Sequence, residues 1–343
     1  MDNKLKLAVI GTGFWADFQI NAWKEFKEVE IIAVCDNDED RAQKAAKKHG
    51  ISNFYTDIDK LIAVESIDFV DIISSVGSHY ELVMKSAAAG LNTICQKPMS
   101  GNLEECKEMV ETCRNKGVKF FIHENFRWQG PIRACKELLQ QGAIGKPFRA
   151  KVSFCSGFPV FDNQPSLKEL ERFIIMDLGV HLLDVTRFLF GEMKRVYCQT
   201  QKINKGIKGE DVANIMLTAD NGLVCFVEIS YASNLEKETF PETLLLIEGD
   251  TGSIRVDLNH FITLTQKDKG TTKKKVDFPI YNWSDPAYAL VHSSIVDCNK
   301  SILLDLMNKK PAENTGQDNL KTMELVFLSY NSAETNKVLE TSI

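Results

Sequence analysis

In the stretch NTICQKPMSG (Asn92–Gly101) an apolar run ends in a lysine followed by a proline. An ordinary turn needs neither, so Lys97 is either a surface charge or a catalytic cation. A second group sits in DLGVHLLD, where Asp177, His181 and Asp184 occupy positions i, i+4 and i+7. At about 100° per residue these three share one helix face. A histidine near its ordinary pKa can take a proton from an alcohol at neutral pH. The plainer readings are Asp177 as a helix cap, His181 as a satisfied buried histidine, and Asp184 paired with Arg187 or another cation.

A third group is AVIGTGFWADF, which places Gly11 and Gly13 after an apolar run and Ala16 in the third small position. In such a G-x-G-x-x-A turn the first glycine allows a tight bend and the second lets a pyrophosphate approach the backbone. The small third residue lets the helix sit close, and its N-terminus attracts the anion. The next apolar run ends in VCDND, with Asp36 about 25 residues after Gly11, where an acid meets adenosine ribose hydroxyls. A carboxylate there repels a 2′-phosphate, which favours NAD over NADP; Arg41 is the counterweight, being within reach of such a phosphate. The plainer reading of Asp36 is a turn or helix-capping residue.

The elements that must hold these groups alternate. KLAVIG, EIIAVCD, FVDIISS, LNTICQ and VKFFIHEN read as strands, and the segments between them carry helical spacing. Strands apolar throughout and separated by helices mean parallel βαβ units, hence a doubly wound sheet. NLEECKEMVETCRNKG opens as a capping box, Asn102 with Glu105. After Asn125 the pattern changes to short strand-like runs parted by turns such as Asp220–Gly222, predicting an open, mostly antiparallel sheet with helices on one face. Two final helices are expected at about Pro286–Asn308 and Gly316–Leu339, the second packing back on the first domain. In GLVCFVEISY, Leu223, Cys225, Val227 and Ile229 face one way, and Val224 and Phe226 the other. Helices cover only one side of a sheet, so the other side predicts a homo-oligomer, dimer or tetramer.

A length of 343 residues suits about two domains. They are expected at 1–125 and 126–343, the first for dinucleotide and the second for substrate and oligomerisation. The formal net charge of −6 argues against nucleic-acid and anionic-membrane partners. The one basic run, Lys267–Lys275, centres on a glycine and reads as a solvated hairpin. Nine cysteines without a C-x-x-C spacing suit reduced thiols in a cytoplasmic protein. No signal peptide or membrane span is expected.

Taken together, GTGFWA, SSVGSHYELVMKSAAAG, QKP, HENFRW, GAIGKP and DLGVHLLDVTRFLFG resemble, in that order, the Gfo/Idh/MocA family of NAD(P)-dependent sugar and cyclitol oxidoreductases. The resemblance covers essentially the whole chain. It implies a Rossmann domain followed by an α/β domain with an open sheet. It makes Lys97 the match of the family's catalytic lysine, and Asp177 and His181 the match of its D-x-x-x-H pair. Gln96 departs from the family's usual glutamate in E-K-P, keeping the shape and losing the charge. The resemblance also places Gly11, Gly13, Phe14, Trp15, Asp36, Arg41, Ser75, His79, Gln96 and Asn125 at the cofactor, and Lys97, Asn125, Asp177 and His181 at the substrate. His123 and Glu124 do not form H-E-x-x-H, Arg127 and Trp128 read as structural, and Gly209–Ala213 is a candidate pocket wall. QKP with HENFRW resembles a branch that includes apiose-type aldose dehydrogenases.

The expected activity is therefore hydride transfer between a sugar or polyol CH–OH carbon and nicotinamide. Lys97 steadies the alkoxide, His181 takes the proton, and Asp177 binds a neighbouring hydroxyl. The competing readings are a glycosidase-like enzyme that retains its NAD and a non-catalytic regulator that binds dinucleotide.

Overall fold

The computed structural model describes residues 4–342. They form two compact units. One holds the chain up to Asn125 together with Ile280–Met323, the other Phe126–Pro279 together with the chain from Glu324.

The first unit opens with β1 (Leu5–Ile10), α1 (Ala16–Trp23), β2 (Val29–Cys35), α2 (Glu39–His49), β3 (Asn53–Tyr55) and α3 (Ile58–Val64). It continues with β4 (Phe69–Ile72), α4 (Val76–Ala88), β5 (Asn92–Gln96), α5 (Leu103–Asn115) and β6 (Phe120–His123). The strands form one parallel sheet in the order β3-β2-β1-β4-β5-β6. This is the doubly wound order, with its switch point where β1 meets β4. Leu7, Val9, Ile72, Ile94 and Ile122 are buried in it, each contributing about 1.5–3 kcal/mol of transfer free energy. β3 and α3 escaped the sequence reading, because three and seven residues are too few to show a clear period.

Local chemistry sets the helix ends. Asp38 caps α2 by accepting from Arg41 N at 3.1 Å, and Gly50 closes it at φ 65°. Asn102 caps α5 as expected, accepting from Glu104 N at 2.9 Å. Its partner does not complete a capping box: the Glu105 carboxylate accepts from the Ser100 hydroxyl, whose oxygen accepts from Asn102 N at 3.2 Å.

The second unit contains α6 (Gly130–Gln140), β7 (Pro147–Cys155), the short α7 (Val160–Asn163), α8 (Val180–Phe190), β8 (Met193–Gln201), β9 (Val212–Ala219) and β10 (Val224–Ser230). β11 (Leu244–Gly249), β12 (Gly252–Asp257), β13 (Phe261–Gln266) and β14 (Gly270–Lys275) follow. The sheet order is β14-β13-β12-β11-β7-β10-β9-β8, with β10 and β7 parallel and the other pairs antiparallel. One face is buried by alternate residues, including Val152, Phe154, Ile215, Leu217, Cys225, Val227 and Ile229, and α8 packs against it. The other face leaves Met216 and Phe226 exposed as register partners. The basic run forms the β13–β14 turn and the solvated edge strand.

In the last part of the chain, α9 (Ala289–Leu306) packs on α1. α10 (Gly316–Thr335) starts in the first unit and ends in the second. It stops four residues before the expected Leu339, since Asn336 takes φ 54° and Leu339–Glu340 become β15, pairing with β8. All nine cysteines are free thiols. Among the described residues no helix is long and apolar enough to cross a membrane.

Candidate active site

In the first unit the loop after β1 has the backbone form that a phosphate cradle needs. Gly11 has φ 93°, and a Cβ there would meet the Ile73 carbonyl carbon and Ser74 N at 2.7 Å, so only glycine fits. A Cβ on Gly13 would meet nothing within 4 Å, which leaves open space above the amino end of α1. Ala16 is buried, as close helix–strand packing requires. These observations fit a dinucleotide pyrophosphate. Phe14 is exposed and stands edge-on to Phe18, with centroids 5.2 Å apart. Trp15 is instead half-buried against a cluster that includes Ala22 and Val291.

Asp36 is buried at the end of β2, and its role is not a helix cap, which Asp38 supplies. Its Oδ2 accepts from Thr12 N at 2.8 Å and Thr12 Oγ1 at 2.9 Å, and Oδ1 accepts from Asp38 N at 3.0 Å. The carboxylate is thus fixed beside the phosphate loop and can take further donors such as ribose hydroxyls. Arg41 is not turned to a phosphate: its Nε donates to Asp38 Oδ2 at 3.0 Å. The Arg41 N–H first, and that side-chain pairing second, hold the Asp38 carboxyl below its usual range.

Lys97 follows β5, half-buried, in a cis peptide with Pro98. Strand carboxyl ends are where ligands bind in such sheets. His79 ties this turn to the start of α4, with Nδ1 3.0 Å from Pro98 O and Nε2 3.1 Å from Ser74 O. Burial lowers the His79 pKa, opposed by the contacts with the Ser74 and Pro98 carbonyls, and a neutral ring donates to only one of the two. Ser75 is the exposed residue at the N-cap position of α4 and makes no side-chain cap. Asn125 is buried, and its amide nitrogen donates to Ser294 Oγ of α9 at 2.7 Å. His123 Nε2 lies 3.0 Å from Asn299 Oδ1, so HEN also serves to hold α9.

Beneath Lys97 runs a buried polar chain that the sequence reading missed. Gln96 Oε1 accepts from Lys97 N at 3.3 Å, and Gln96 Nε2 donates to Gln19 Oε1 at 3.4 Å. Gln19 Nε2 and Trp23 Nε1 donate to Asp71 Oδ2 at 2.9 and 2.7 Å. The available signal was a carboxylate inside the otherwise apolar run FVDII.

In the second unit Asp177 stands in a π turn, Ile175–Gly179, that runs into α8. The expected α spacing therefore does not apply from Asp177 to His181, though His181 and Asp184 both lie on α8. A buried Glu210 holds the start of this turn, accepting from Phe173 N at 3.1 Å, Ile175 N at 3.2 Å and the Tyr330 hydroxyl at 2.8 Å. Glu210 belongs to the segment expected as a pocket wall, and its carboxylate is used inside the fold. Burial first, and the Asp177 charge second, push the Tyr231 phenol up, which keeps it neutral beside Asp177.

His181 is buried and lies on Phe126, with centroids 3.9 Å apart and planes 7° from parallel. Asp184 pairs not with Arg187 but with Arg127, in a buried two-point contact of 2.7 and 2.5 Å. Arg187 is taken by Glu192 at 2.9 Å. Arg127 is thus structural, as is Trp128, whose ring carries the Arg133 guanidinium at 4.4 Å. Among the described residues no group of three or more His, Cys, Asp or Glu is placed to hold a metal.

Residues 5–124 match the oxidoreductase family with NAD-binding Rossmann fold, Gfo/Idh/MocA, and residues 132–255 match the Gfo/Idh/MocA C-terminal domain. The chain is 41% identical to a D-apiose dehydrogenase of Rhizobium rhizogenes, over 98% of this chain and 97% of that protein. It is 39% identical to a D-apiose dehydrogenase of Paraburkholderia graminis, over 98% of this chain and 90% of that one. An oxidoreductase from Agrobacterium radiobacter, crystallised with NAD+, L-tartaric acid and magnesium, superposes with a TM-score of 0.96 at 41% identity, covering 98% of each chain. Glycine turn, buried acid at the end of β2 and full-length likeness agree: the chain belongs to the Gfo/Idh/MocA family of oxidoreductases, and its first unit carries that family's NAD-binding Rossmann fold.

Proposed function

We propose that this protein is an NAD-dependent dehydrogenase of a small aldose, of the kind that D-apiose represents. The observation that carries the reading is likeness along the full chain to two D-apiose dehydrogenases, supported by the presence of Lys97, Asp177 and His181 in the sequence.

When bound, NAD+ supplies the acceptor for the hydride leaving the alcohol carbon. His181 takes the hydroxyl proton, its ring steadied by Phe126. The Lys97 ammonium offsets the negative charge that grows on the oxygen. Asp177 accepts from a neighbouring sugar hydroxyl and fixes which carbon reacts. Gly11, Gly13 and Phe14 line the pyrophosphate cradle, and Asp36 takes the ribose hydroxyls and disfavours a 2′-phosphate. Residues 1–125 serve the nucleotide, and 126–343 serve the sugar and assembly.

The exposed Met216 and Phe226 on the open sheet face favour a homodimer or homotetramer built on that face. The test of the reading is a panel of aldoses and polyols with NAD+ and NADP+, followed by absorbance of the reduced nicotinamide. D-Apiose with NAD+ is the expected best pair. Absence of reduction with every member of the panel would refute the reading.

A further inference from the structure

We infer that Asp71 is a positioning residue for Lys97, acting through Gln19 and Gln96 from the interior of the sheet. The inference rests on the catalytic role proposed for Lys97.

The chain of contacts has only one consistent polarity. Asp71 Oδ2 takes two donors, Gln19 Nε2 and Trp23 Nε1. A carboxylate can only accept, so Gln19 must present its NH2 to Asp71 and its carbonyl oxygen outward. Gln96 must then turn its NH2 to Gln19, which leaves Gln96 Oε1 for Lys97 N. Lys97 N can only donate, so both ends demand the same orientation. Asp71 is fully buried, and its Oδ1 meets no hydrogen-bond partner among the described residues. A buried carboxylate left half-satisfied is unfavourable for the fold alone. Its use is explained if its charge sets the direction of the two amides, which in turn fix the backbone at Lys97.

Position 96 is neutral in this chain, and the hydrogen-bonded path from Lys97 N through Gln96 and Gln19 ends on the Asp71 carboxylate. The Asp71 charge acts on the Cys95 thiol, which also feels Cys106 and Cys113. Burial holds Cys95 well above its usual value and pushes Cys106 and Cys113 up to about 12, so all three stay neutral.

This polarity predicts how charge at the two positions must couple. In Gln96→Glu, the Gln19 carbonyl faces the new carboxyl, so Glu at 96 binds well only when protonated, as long as Asp71 is ionised. In Asp71→Asn combined with Gln96→Glu, Gln19 can reverse, donating to position 96 and accepting from position 71. The chain is then satisfied in the opposite sense, with the same total charge.

Three variants are compared with the parent: Asp71→Asn, Gln96→Glu and the two together. The first measurement needs no turnover. Melting temperature is followed against pH, with NAD+ titration as a check on the nucleotide half. The expected result is that Gln96→Glu loses stability relative to the parent as pH rises above the carboxylate range. Adding Asp71→Asn removes that loss, and Asp71→Asn alone keeps NAD+ affinity within about threefold of the parent. Independent, additive effects of the two substitutions would overturn the polarity argument, and Gln96→Glu reads it even if Asp71→Asn fails to fold.

The second measurement is kcat against pH with the best sugar. Each single variant should lose on the order of tenfold in kcat with KM for sugar unchanged, and the double variant should recover most of it. Coupled melting with unchanged kcat in the single variants would mean that Asp71 does not position Lys97. Coupled melting in a parent that reduces no NAD+ with any sugar would leave the chain standing and refute the dehydrogenase reading instead.

Discussion

The imidazole of His181 rests flat on the ring of Phe126, centroids 3.9 Å apart and planes 7° from parallel. The two residues come from segments far apart in sequence, the 3-10 turn Phe126–Trp128 and the helix α8. The neighbouring Arg127–Asp184 pair locks the same two segments together. The ring therefore has little freedom to rotate, which suits a proton acceptor that must meet its substrate in one orientation. Phe126→Leu keeps the volume apolar and removes the flat support. It should lower kcat by about tenfold and leave NAD+ affinity unchanged, while Phe126→Tyr keeps most of the rate. Steady-state kinetics on the two variants separates stacking from simple burial.

The Arg127–Asp184 pair makes a stability prediction. Both side chains are buried and their two hydrogen bonds are direct. Arg127→Ala leaves an uncompensated buried carboxylate and should cost about 3–5 kcal/mol in denaturant unfolding. Replacing both partners by apolar residues, Arg127→Met with Asp184→Leu, should cost much less.

The role proposed for Asp36 in cofactor choice can be tested. Its carboxylate is held by Thr12 and by Asp38 N, and Arg41 is engaged with Asp38. Asp36→Ser should weaken NAD+ by about 10- to 100-fold, from the loss of hydrogen bonds to a charged acceptor, and raise the relative kcat/KM for NADP+. Titration with both cofactors checks the direction of the change.

Asp71 gives a pH dependence of stability. Burial raises its pKa from 3.8 to about 6, against the lowering effect of Trp23 and Gln19. The folded protein thus keeps a proton that the unfolded chain releases. The stability this provides is complete below about pH 4 and is lost as pH rises to about 6, on the order of 3 kcal/mol in all. Asp71→Asn has no such proton to lose. The difference between parent and variant in unfolding free energy should therefore change between about pH 4 and 6 and stay level above pH 7. A flat difference across that range would mean that the carboxyl is already ionised at low pH.

Much of the fold was readable because its strands announce themselves. The run LAVI (residues 7–10) is apolar on both faces, which only a sheet covered on both sides can bury. Alternation in GLVCFVEISY foretold the buried and open faces of the second sheet, since Cys225 and Val227 are buried and Phe226 is exposed. What stayed hidden was non-periodic. The three-residue β3 is too short for a pattern, and the π turn at Asp177 looks like ordinary helix in sequence. Tertiary partners were equally hidden: Arg127 rather than Arg187 for Asp184, Phe126 under His181, and Asp71 at the root of the Gln96 chain. No spacing rule links residues so far apart along the chain.

The most direct test is turnover by Lys97→Ala and His181→Ala beside the parent, with D-apiose and NAD+, at equal cofactor saturation. The account predicts NAD+ reduction by the parent, losses of about 100- to 10,000-fold in kcat for each variant, and NAD+ affinity close to the parent's. Oxidation by Lys97→Ala at the parent rate would contradict it.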